Sequence, residues 1–384
     1  MRVLMTGLDK GLFGGGVSGD VVERHRKYAD LAGHLDIIVF AGDNYQEKQW
    51  ASNLRVFPTR TNKFSHFARA VEMASTLQEQ EPYDLIVTQD FTAPVGMRLK
   101  RKYGLPWIVN THSMFFSWNW LGFNPLSWYL FFLIKRAIKQ ADGFRVNNEE
   151  IRDKLIDWGI EKPILVQPTP IDVTKFKSLS HVIPAMPTGR QAEAGIQQSR
   201  LDPRVKPEDD KSVILFVGRL SPEKNVAMLI RAVKNLKEDF ELWIVGKGPE
   251  EANLKRLAGN DERIRFLGPK TIDELPVIFQ SADIFALPSN TESFGQVLLQ
   301  AAAAGCAIIA TATPGARSVL SNEKYGLLIP VGFQRHLEAA LKNLISKTFE
   351  REYWATQAQI LVAQYDPQKG FNNTIAFWKK IVKG

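Results

Sequence analysis

Short apolar runs of strand length alternate with helix-patterned segments along most of the chain. This alternation favours parallel strands joined by crossover helices, because a tight turn can connect only antiparallel strands. The pattern occurs twice, so we predict an α/β fold with two doubly wound domains that face each other across a cleft. The predicted strands are residues 2–8, 35–41, 54–59, 84–89, 107–110, 143–146 and 164–167, then 213–217, 241–245, 263–267, 284–287, 307–310 and 327–330. The predicted helices include residues 17–32, 64–80, 126–139 and 149–158.

The length of 384 residues suits two domains of ordinary size. We predict a first Rossmann-like domain at residues 1–170 and a second at residues 212–365. Residues 180–211 between them are polar, carry prolines and charges, and have no apolar period. This composition predicts a mobile inserted loop at the interdomain junction. A functional lid is the weaker alternative.

A single cysteine and scattered histidines limit the chemistry that the chain can perform. Cys306 lies in an apolar context and is predicted to be a small core residue, and one thiol excludes an internal disulfide framework. The six histidines are scattered, so no metal site is expected. The chain begins directly with a strand-like segment, and its longest apolar run is shorter than the ~20 residues of a spanning helix. We therefore expect a cytoplasmic protein without a signal peptide.

Two cations flank a predicted helix start that follows the strand at 213–217. Ser221 and Pro222 are residue types that favour the N-cap and the first helical position. The free backbone N–H groups of a helix start attract phosphate, and Arg219 and Lys224 add positive charge on either side. Each cation alone would more often be a solvated charge at a helix end. Taken with the motifs described next, they predict a diphosphate site.

A carboxylate and an amide follow the strand at 284–287. The run Ser293-Phe294-Gly295-Gln296 fits a capping box, which predicts a second helix start directly after Glu292. Gln300 lies four residues after Gln296, on the same helix face. We predict that Glu292 holds a sugar at the mouth of the site and that Gln300 contacts a ribose one turn deeper. The alternative for Gln300 is a helix-face amide without a ligand.

The first half offers a glycine-rich loop and a histidine. The loop Gly14-Gly15-Gly16-Val17-Ser18-Gly19 follows the first strand, and glycines let a backbone approach a ligand closely. A simple flexible loop is the alternative. His112 follows the strand at 107–110, at the end where it would face the cleft and donate to a developing charge or orient an acceptor. A hydrogen-bonded structural histidine is the alternative.

The segments at 214–225 and 286–300 resemble those of the retaining glycosyltransferases of family four, which have the GT-B fold, and the resemblance covers nearly the whole chain. It implies that Arg219 and Lys224 bind the donor diphosphate and that Glu292 holds the transferred sugar. It places Gln300 at the donor ribose and the glycine loop under the donor phosphate. It also implies that residues 366–384 form a helix crossing back to the first domain. The remaining residues that it assigns to the donor are Gly15, Gly16, Ser293, Phe294 and Gly295.

The sequence departs from this family at two places. The family usually has a glutamate at the position of Gln300, and an amide lacks the charge-assisted bond of a carboxylate while it can still accept and donate. Where the family commonly has Asn-Gly before Ile-Asp, this chain has Thr169-Pro170. The first departure bears on donor affinity and not on the chemistry at the sugar carbon.

The resemblance implies a retaining, metal-independent, hexosyltransferase-like enzyme that uses a nucleotide-sugar donor as substrate and needs no cofactor. Its main catalytic task is to stabilise the charge of the leaving nucleoside diphosphate, which Arg219, Lys224 and helix N-termini would do. No protein nucleophile is assigned. Two alternatives remain: a non-catalytic sugar-nucleotide-binding protein, which Gln300 motivates, and a sugar-nucleotide epimerase on the same fold. The epimerase would need an acid/base pair in the first domain, where no convincing pair is found.

A stretch of the first half, residues 91–140, contains no Asp or Glu. In a chain of net charge +8, its mixture of cations and aromatic residues is typical of an interfacial segment that docks on an anionic membrane. The acceptor would then be a glycan or a polyprenyl or glycolipid precursor of the cell envelope. An equally weighted alternative makes these aromatic residues the core of the first domain. No nucleic-acid-binding motif accompanies the charge, so no nucleic acid partner is expected. The residues are Arg98, Lys100, Arg101, Lys102, Lys135, Arg136 and Lys139, with Trp107, Phe115, Phe116, Trp118, Trp120, Phe123, Trp128, Tyr129, Phe131 and Phe132.

Overall fold

A computed structural model describes residues 1–14, 20–62, 65–112, 125–177 and 211–384. These residues form two compact units. Unit 1 comprises Met1–Ile171 together with Asp366–Gly384, and unit 2 comprises Asp172–Tyr365. Each unit contains a largely or wholly parallel sheet with helices, which confirms the prediction of an α/β fold with two doubly wound domains. The predicted inserted loop at 180–211 lies outside the described residues except for Lys211.

The described residues form fourteen strands and thirteen α-helices. The strands are β1 (Arg2–Gly7), β2 (His34–Val39), β3 (Lys48–Ala51), β4 (Leu54–Pro58), β5 (Leu85–Gln89), β6 (Trp107–Thr111), β7 (Gly143–Val146), β8 (Ile164–Val166), β9 (Ser212–Val217), β10 (Phe240–Val245), β11 (Ile264–Gly268), β12 (Ile284–Leu287), β13 (Ala307–Thr311) and β14 (Leu327–Ile329). The helices are α1 (Val21–Ala32), α2 (His66–Gln80), α3 (Ala93–Tyr103), α4 (Pro125–Ile138), α5 (Glu149–Asp157), α6 (Val226–Lys234), α7 (Glu251–Ala258), α8 (Leu275–Gln280), α9 (Gln296–Ala304), α10 (Pro314–Val319), α11 (Gln334–Ser346), α12 (Thr348–Gln364) and α13 (Pro367–Lys383).

The sheet of unit 1 has eight strands in the order β3-β4-β2-β1-β5-β6-β7-β8. Its central strands pair in parallel, and β3 pairs with β4 in the antiparallel sense. Alternate residues of a strand point to opposite faces, so Leu4 enters one core while Val3 and Met5 enter the other. Helices α2 to α5 cover the face of Leu4, and α1 and α13 cover the face of Val3. Both faces are therefore buried, as a parallel sheet requires.

The C-terminal helix α13 contributes large side chains to the core of unit 1. Its Trp378 is fully buried, and the Trp378 ring lies 5.5 Å from the ring of Tyr28 on α1. Phe371 packs edge-on against the same tyrosine, with ring centroids 5.0 Å apart. A segment that follows unit 2 in the sequence thus belongs structurally to unit 1.

The sheet of unit 2 has six parallel strands in the order β11-β10-β9-β12-β13-β14. The strand order reverses between β9 and β12, which lie side by side at the centre. In unit 1 the corresponding reversal lies between β1 and β5. In sheets of this kind ligands bind beyond the carboxyl ends of the strands at such a reversal.

All thirteen predicted strands are present, with ends that shift by one or two residues. The sequence did not predict β3, an antiparallel edge strand whose first two residues, Lys48 and Gln49, are exposed. Its sequence Lys-Gln-Trp-Ala lacks a β-branched residue, and an edge strand of four residues leaves too few positions for an alternation to be recognised.

Candidate functional site

The loops that follow β9 and β12 leave the sheet of unit 2 at the same edge. Leu215 of β9 pairs directly with Phe285 of β12, so both strands end on the reversal of the strand order. The first loop carries Arg219 and Lys224, and the second carries Glu292. The fold therefore brings three predicted site residues to the position where a doubly wound sheet presents its ligands.

The loop after β9 begins its helix later than the sequence predicts. Pro222–Lys224 form a single 3-10 turn, Asn225 adopts a left-handed conformation with φ of 46°, and α6 starts at Val226. Ser221 and Pro222 occupy the N-cap and the start of this turn, as predicted, but the Ser221 hydroxyl donates to the Glu223 carboxylate at 2.6 Å and makes no capping hydrogen bond. Lys224 thus stands at the end of a short turn and not inside the first turn of a long helix.

The prediction of a capping box after Glu292 is wrong. Gly295 is the residue before α9, it has φ of 75°, and no side chain caps the helix. Glycine reaches this left-handed conformation without strain, and it lets the chain turn sharply into the helix. Of the two residues between Glu292 and Gly295, Phe294 is buried and Ser293 is partly exposed. The helix begins at Gln296, so the predicted order, in which a turn and a helix follow the Glu292 carboxylate, is correct. The predicted capping hydrogen bonds of that helix are absent.

Lys224 and Glu292 form an ion pair across the two loops. The Lys224 ammonium contacts the Glu292 carboxylate, and the two side chains are 21% and 13% exposed respectively. The same loops are tied by backbone and amide contacts. The Asn290 N–H donates to the Glu223 carbonyl at 2.7 Å, and the Asn225 amide donates to the Asn290 side-chain oxygen at 3.1 Å. A cation and a carboxylate predicted to contact one ligand are therefore held in direct contact by a rigid frame.

Arg219 and Gln300, the other two predicted donor-binding residues of unit 2, also follow β9 and β12 in the sequence. The Arg219 side chain is exposed and forms no ion pair with any described residue. Its charge acts on Glu223: burial would raise the pKa of this carboxyl, but the Ser221 hydroxyl and the charges of Arg219 and Lys224 lower it below its usual value. Gln300 lies on α9, is half-buried, and makes no side-chain hydrogen bond within the described part of the chain.

Two glycine contacts that the sequence reasoning missed hold these loops in place. A Cβ on Gly315 of α10 would lie 2.5 Å from the Phe294 nitrogen, and the Gly315 N–H donates to the Glu292 carbonyl at 2.8 Å. A Cβ on Gly246, after β10, would lie 1.9 Å from the Gly218 carbonyl oxygen. Both loops therefore depend on backbones that approach more closely than a side chain would allow. The Gly-Lys-Gly-Pro run after β10 is the sequence signal that could have indicated the second contact.

His112 is the predicted site residue of unit 1 that the structure describes, since Gly15 and Gly16 lie outside the described residues. It directly follows β6, and its backbone N–H donates to the Asp90 carboxylate at 3.0 Å. Its Nδ1 lies 3.3 Å from the Thr169 hydroxyl oxygen. Burial lowers the pKa of His112 to about 3, and the charges of Arg145 and Arg24 act in the same direction. The imidazole is therefore neutral at physiological pH.

For the basic aromatic stretch at 91–140, the two interpretations were a membrane-docking segment and the core of the first domain. The described aromatic residues support each interpretation in part. Trp107 and Phe131 are buried in the core of unit 1, and Trp128 is partly buried against that core. Tyr129 and Phe132 of α4 are instead 63% and 60% exposed. The other five aromatic residues, Phe115, Phe116, Trp118, Trp120 and Phe123, lie outside the described residues.

One face of α4 combines these exposed aromatic rings with cations. Tyr129, Phe132 and Arg136 are exposed, and their spacing of three and four residues places them along one side of the helix. The exposed Lys139 directly follows the last residue of α4. On the neighbouring α3, Arg98 and the pair at 101–102 are exposed as well, whereas Lys100 pairs with Asp142 at 2.5 Å. Within the described ranges no helix is long and apolar enough to cross a membrane.

Over the same described ranges, no group of three or more His, Cys, Asp or Glu side chains is arranged to hold a metal ion. Cys306 is fully buried, and burial raises the pKa of its thiol above its usual value, so it is an unreactive core residue as its context predicts.

Two parallel-sheet units of this topology define a fold of the GT-B class. Sucrose-phosphate synthase from Thermosynechococcus elongatus superposes with a TM-score of 0.83 at 17% identity, over 99% of this chain and 98% of that one. HepE from Anabaena, solved in complex with UDP and glucose, superposes with a TM-score of 0.73 at 18% identity, over 99% of this chain and 100% of that one. At such low identity the likeness establishes the fold alone.

Two family models match the sequence. Residues 15–170 match the glycosyl transferase 4-like domain, and residues 197–361 match the glycosyl transferases group 1 model. The chain therefore belongs to the group 1 glycosyltransferases, and the resemblance inferred from its motifs is confirmed.

Curated relatives are similar over part of their length. The D-inositol 3-phosphate glycosyltransferase of Salinispora tropica is 29% identical over 302 residues, which cover 72% of this chain and 60% of that protein. The alpha-monoglucosyldiacylglycerol synthase of Streptococcus pneumoniae is 26% identical over 283 residues, which cover 71% of this chain and 60% of that protein. The chain thus matches about 60% of the length of these relatives.

Proposed function

We propose that this protein is a retaining glycosyltransferase that moves a sugar from a nucleotide-sugar donor to an acceptor. The observation that carries the proposal is the ion pair of Lys224 and Glu292 at the strand reversal of unit 2. A donor diphosphate would take over the Lys224 ammonium. The Glu292 carboxylate, released from the pair, would then accept hydrogen bonds from the hydroxyl groups of the transferred sugar.

Electrostatic stabilisation of the leaving group is the main catalytic contribution that unit 2 can make. When the bond between the sugar carbon and the donor phosphate oxygen breaks, negative charge grows on the diphosphate. In this proposal Lys224 and the exposed Arg219 stabilise that charge in place of a metal ion. The acceptor oxygen bonds to the sugar carbon on the face that the diphosphate leaves, and the acceptor proton passes to the departing phosphate oxygen. The configuration at the sugar carbon is retained.

The other site residues have supporting roles in the proposal. Gln300 contacts the donor ribose, since its amide has no hydrogen-bond partner among the described residues and can both accept and donate. His112 contacts a substrate hydroxyl as a neutral imidazole, because its lowered pKa excludes the charged form at physiological pH. No further cofactor is required.

For the acceptor we propose a lipid or a glycan precursor at an anionic membrane surface. The exposed face of α4 supports this, because aromatic rings and cations on one side of a helix suit the interface of such a membrane. The name of the streptococcal relative also indicates a diacylglycerol lipid, and that of the Salinispora relative an inositol phosphate. The protein would then work at the inner face of the cell membrane.

A panel of UDP-, GDP-, ADP- and dTDP-sugars tests the donor part of the proposal. A donor at a hundred times its dissociation constant should stabilise the protein by about 2.7 kcal/mol in a thermal-shift experiment. Transfer to a lipid extract, with the anomeric configuration of the product read by NMR, tests retention. A donor that binds without hydrolysis or transfer to any acceptor would instead support a sugar-nucleotide-binding protein, which the amide at Gln300 keeps as the second candidate. Inverted product would refute the retaining mechanism.

A further inference from the structure

Three neighbouring strands of unit 1 deliver three polar side chains to one place. His112 directly follows β6, Asn147 directly follows β7, and Thr169 lies three residues beyond β8. Strands β6, β7 and β8 are adjacent and parallel, so their carboxyl ends lie side by side. The three side chains come from distant parts of the sequence and meet only because of this strand order.

Hydrogen-bond geometry links the three residues in a chain. The Asn147 amide nitrogen donates to the His112 carbonyl at 3.3 Å, which leaves the Asn147 side-chain oxygen free to accept. The Thr169 hydroxyl oxygen lies 3.5 Å from that Asn147 oxygen and 3.3 Å from Nδ1 of His112. A hydroxyl has one proton to give. If the Thr169 hydroxyl donates to the Asn147 oxygen, the Thr169 oxygen can accept a hydrogen bond from a protonated Nδ1. Both contacts are then hydrogen bonds.

The opposite arrangement satisfies fewer groups. If the Thr169 hydroxyl donated to Nδ1, the Asn147 oxygen would lose its donor, and an unpaired polar atom in buried surroundings costs free energy. Thr169 and Asn147 are both buried, so solvent does not readily replace the lost contact. The first arrangement is therefore favoured.

From this geometry we infer that Thr169 and Asn147 fix His112 as the Nδ1–H tautomer, so that Nε2 presents a bare lone pair to the substrate. His112 then accepts a hydrogen bond from a substrate hydroxyl or N–H group, and it does not donate to a developing negative charge. The inference rests on the proposed function for the identity of the substrate but not for the tautomer itself. Thr169 and Asn147 are positioning residues, because they act on the substrate only through His112.

The consequence is a selection rule for the ligand group that meets His112. A bare Nε2 attracts a hydroxyl and repels the oxygen of a phosphate or carboxylate, since neither offers a proton. Arg145 and Arg24 reinforce the rule, because their charges oppose protonation of the ring. His25 on α1 is also near enough to act on His112, and Asp90 binds its backbone N–H. The group that meets His112 is therefore a hydroxyl or N–H group and not an anionic group.

The segment that carries Thr169 is anchored from two sides. The buried Arg145 on β7 donates through Nε to the Gln167 carbonyl at 3.0 Å. Asn373 on α13 donates to the Gln167 side-chain oxygen at 3.0 Å. The first contact holds the backbone, and the second the side chain, of the residue two positions before Thr169. The hydroxyl therefore has a defined position relative to His112.

Nitrogen NMR of the histidine rings measures the tautomer without any substrate. In protein labelled with ¹⁵N at its six histidines, a bare ring nitrogen resonates far downfield of a protonated one, and the His112→Gln variant assigns the signal. At pH 7 we expect the His112 Nδ1 to be protonated and Nε2 to be bare. Thr169→Val, which keeps the shape and removes the hydroxyl, should give a mixture of tautomers, whereas Thr169→Ser should keep the wild-type pattern.

A wild-type His112 with protonated Nε2 would overturn the inference, and so would an unchanged pattern in Thr169→Val. Asn147→Leu is the second variant, and it should loosen the same preference if Thr169→Val fails to fold. Because the spectra need no donor, a protein without transferase activity could still show the expected tautomer. The failure of the proposed function and the failure of this inference are therefore distinguishable.

Discussion

The ion pair of Lys224 and Glu292 predicts opposite effects for two conservative substitutions. A diphosphate must compete with the Glu292 carboxylate for the Lys224 ammonium, because the two groups are in contact without a ligand. Glu292→Gln removes the competitor, so it should tighten the binding of a free nucleoside diphosphate. Lys224→Gln removes the cation itself, so it should weaken the same binding. Both variants should lower turnover, because each loses a group that acts on the reacting donor.

The burial of the pair sets the size of the effect. With side chains 21% and 13% exposed, the pair is shielded from water only in part. Exposed ion pairs are worth about 0.2–1 kcal/mol, so removal of the competing carboxylate from this less exposed pair should tighten diphosphate binding by roughly fivefold. Loss of a charged hydrogen bond to phosphate costs about 1.5–3 kcal/mol, so Lys224→Gln should weaken it by roughly tenfold or more. Turnover of Lys224→Gln should fall by about a hundredfold to a thousandfold, as for one lost stabilising donor in a transition state.

Isothermal titration with UDP, GDP and ADP, at low and high salt, measures these changes. Lys255→Gln is the matched control, because Lys255 forms an ion pair with Glu251 at 2.7 Å on the surface of the same unit and has no predicted role. The control should leave diphosphate binding and melting temperature unchanged. Weaker diphosphate binding in Glu292→Gln would refute the competition, since it would mean that the carboxylate helps to hold the cation in its binding position.

Three further predictions concern other parts of the molecule. Burial lowers the pKa of His25 to about 3, so its contribution to stability is present above the unfolded pKa near 6.5 and is lost as pH falls towards 3, at about 1.4 kcal/mol per pH unit. Urea unfolding from pH 7 to pH 4 should therefore show a shallower loss of stability in His25→Gln than in wild type, while the exposed His336→Gln should show no difference. Gln300→Glu should lower the donor KM by about fivefold with little change in kcat, because a charged acceptor adds roughly 1 kcal/mol at a group bound equally in ground and transition states. Gln296→Glu, one turn earlier on α9, is the control. A higher donor KM in Gln300→Glu would count against a contact between Gln300 and the ribose. Phe132→Ser on α4 should reduce flotation with anionic vesicles, whereas Phe349→Ser of unit 2, at a phenylalanine that is even more exposed, should not. Equal binding of both variants would contradict a role of α4 at the membrane surface.

Strand positions were predictable because the apolar pattern is local to each strand. The strand predicted at 143–146 is buried at every position, and both of its predicted ends are correct. Strand β3 was not predicted, because half of its four residues are exposed. The meeting of Lys224 and Glu292 was also predictable. Both follow strands whose carboxyl ends meet at the reversal of the sheet, which is where sheets of this kind bind their ligands.

The predictions that failed, or that the sequence could not support, depend on contacts between distant residues. Nothing in the sequence near Ser221 shows that its hydroxyl will bind Glu223 and leave the helix uncapped. The close approach of Gly315 to the backbone of Phe294 requires the position of α10, which comes from the whole of unit 2. The contact of Thr169 with His112 depends on the order of three strands, and strand order is not encoded in any one segment.

The helix α13 has a consequence for the order in which the protein can fold during its synthesis. The ribosome makes the strands of unit 1 first, yet Trp378 and Phe371 in their core are translated only after the whole of unit 2. Unit 2 is continuous in sequence and can reach its native packing as soon as it has emerged. Unit 1 must wait, with the apolar face around Tyr28 uncovered, for a segment about two hundred residues downstream of its own last strand. The half of the molecule that is translated first is therefore the half that is finished last, and a chaperone that shields apolar surface on nascent chains would act on that face.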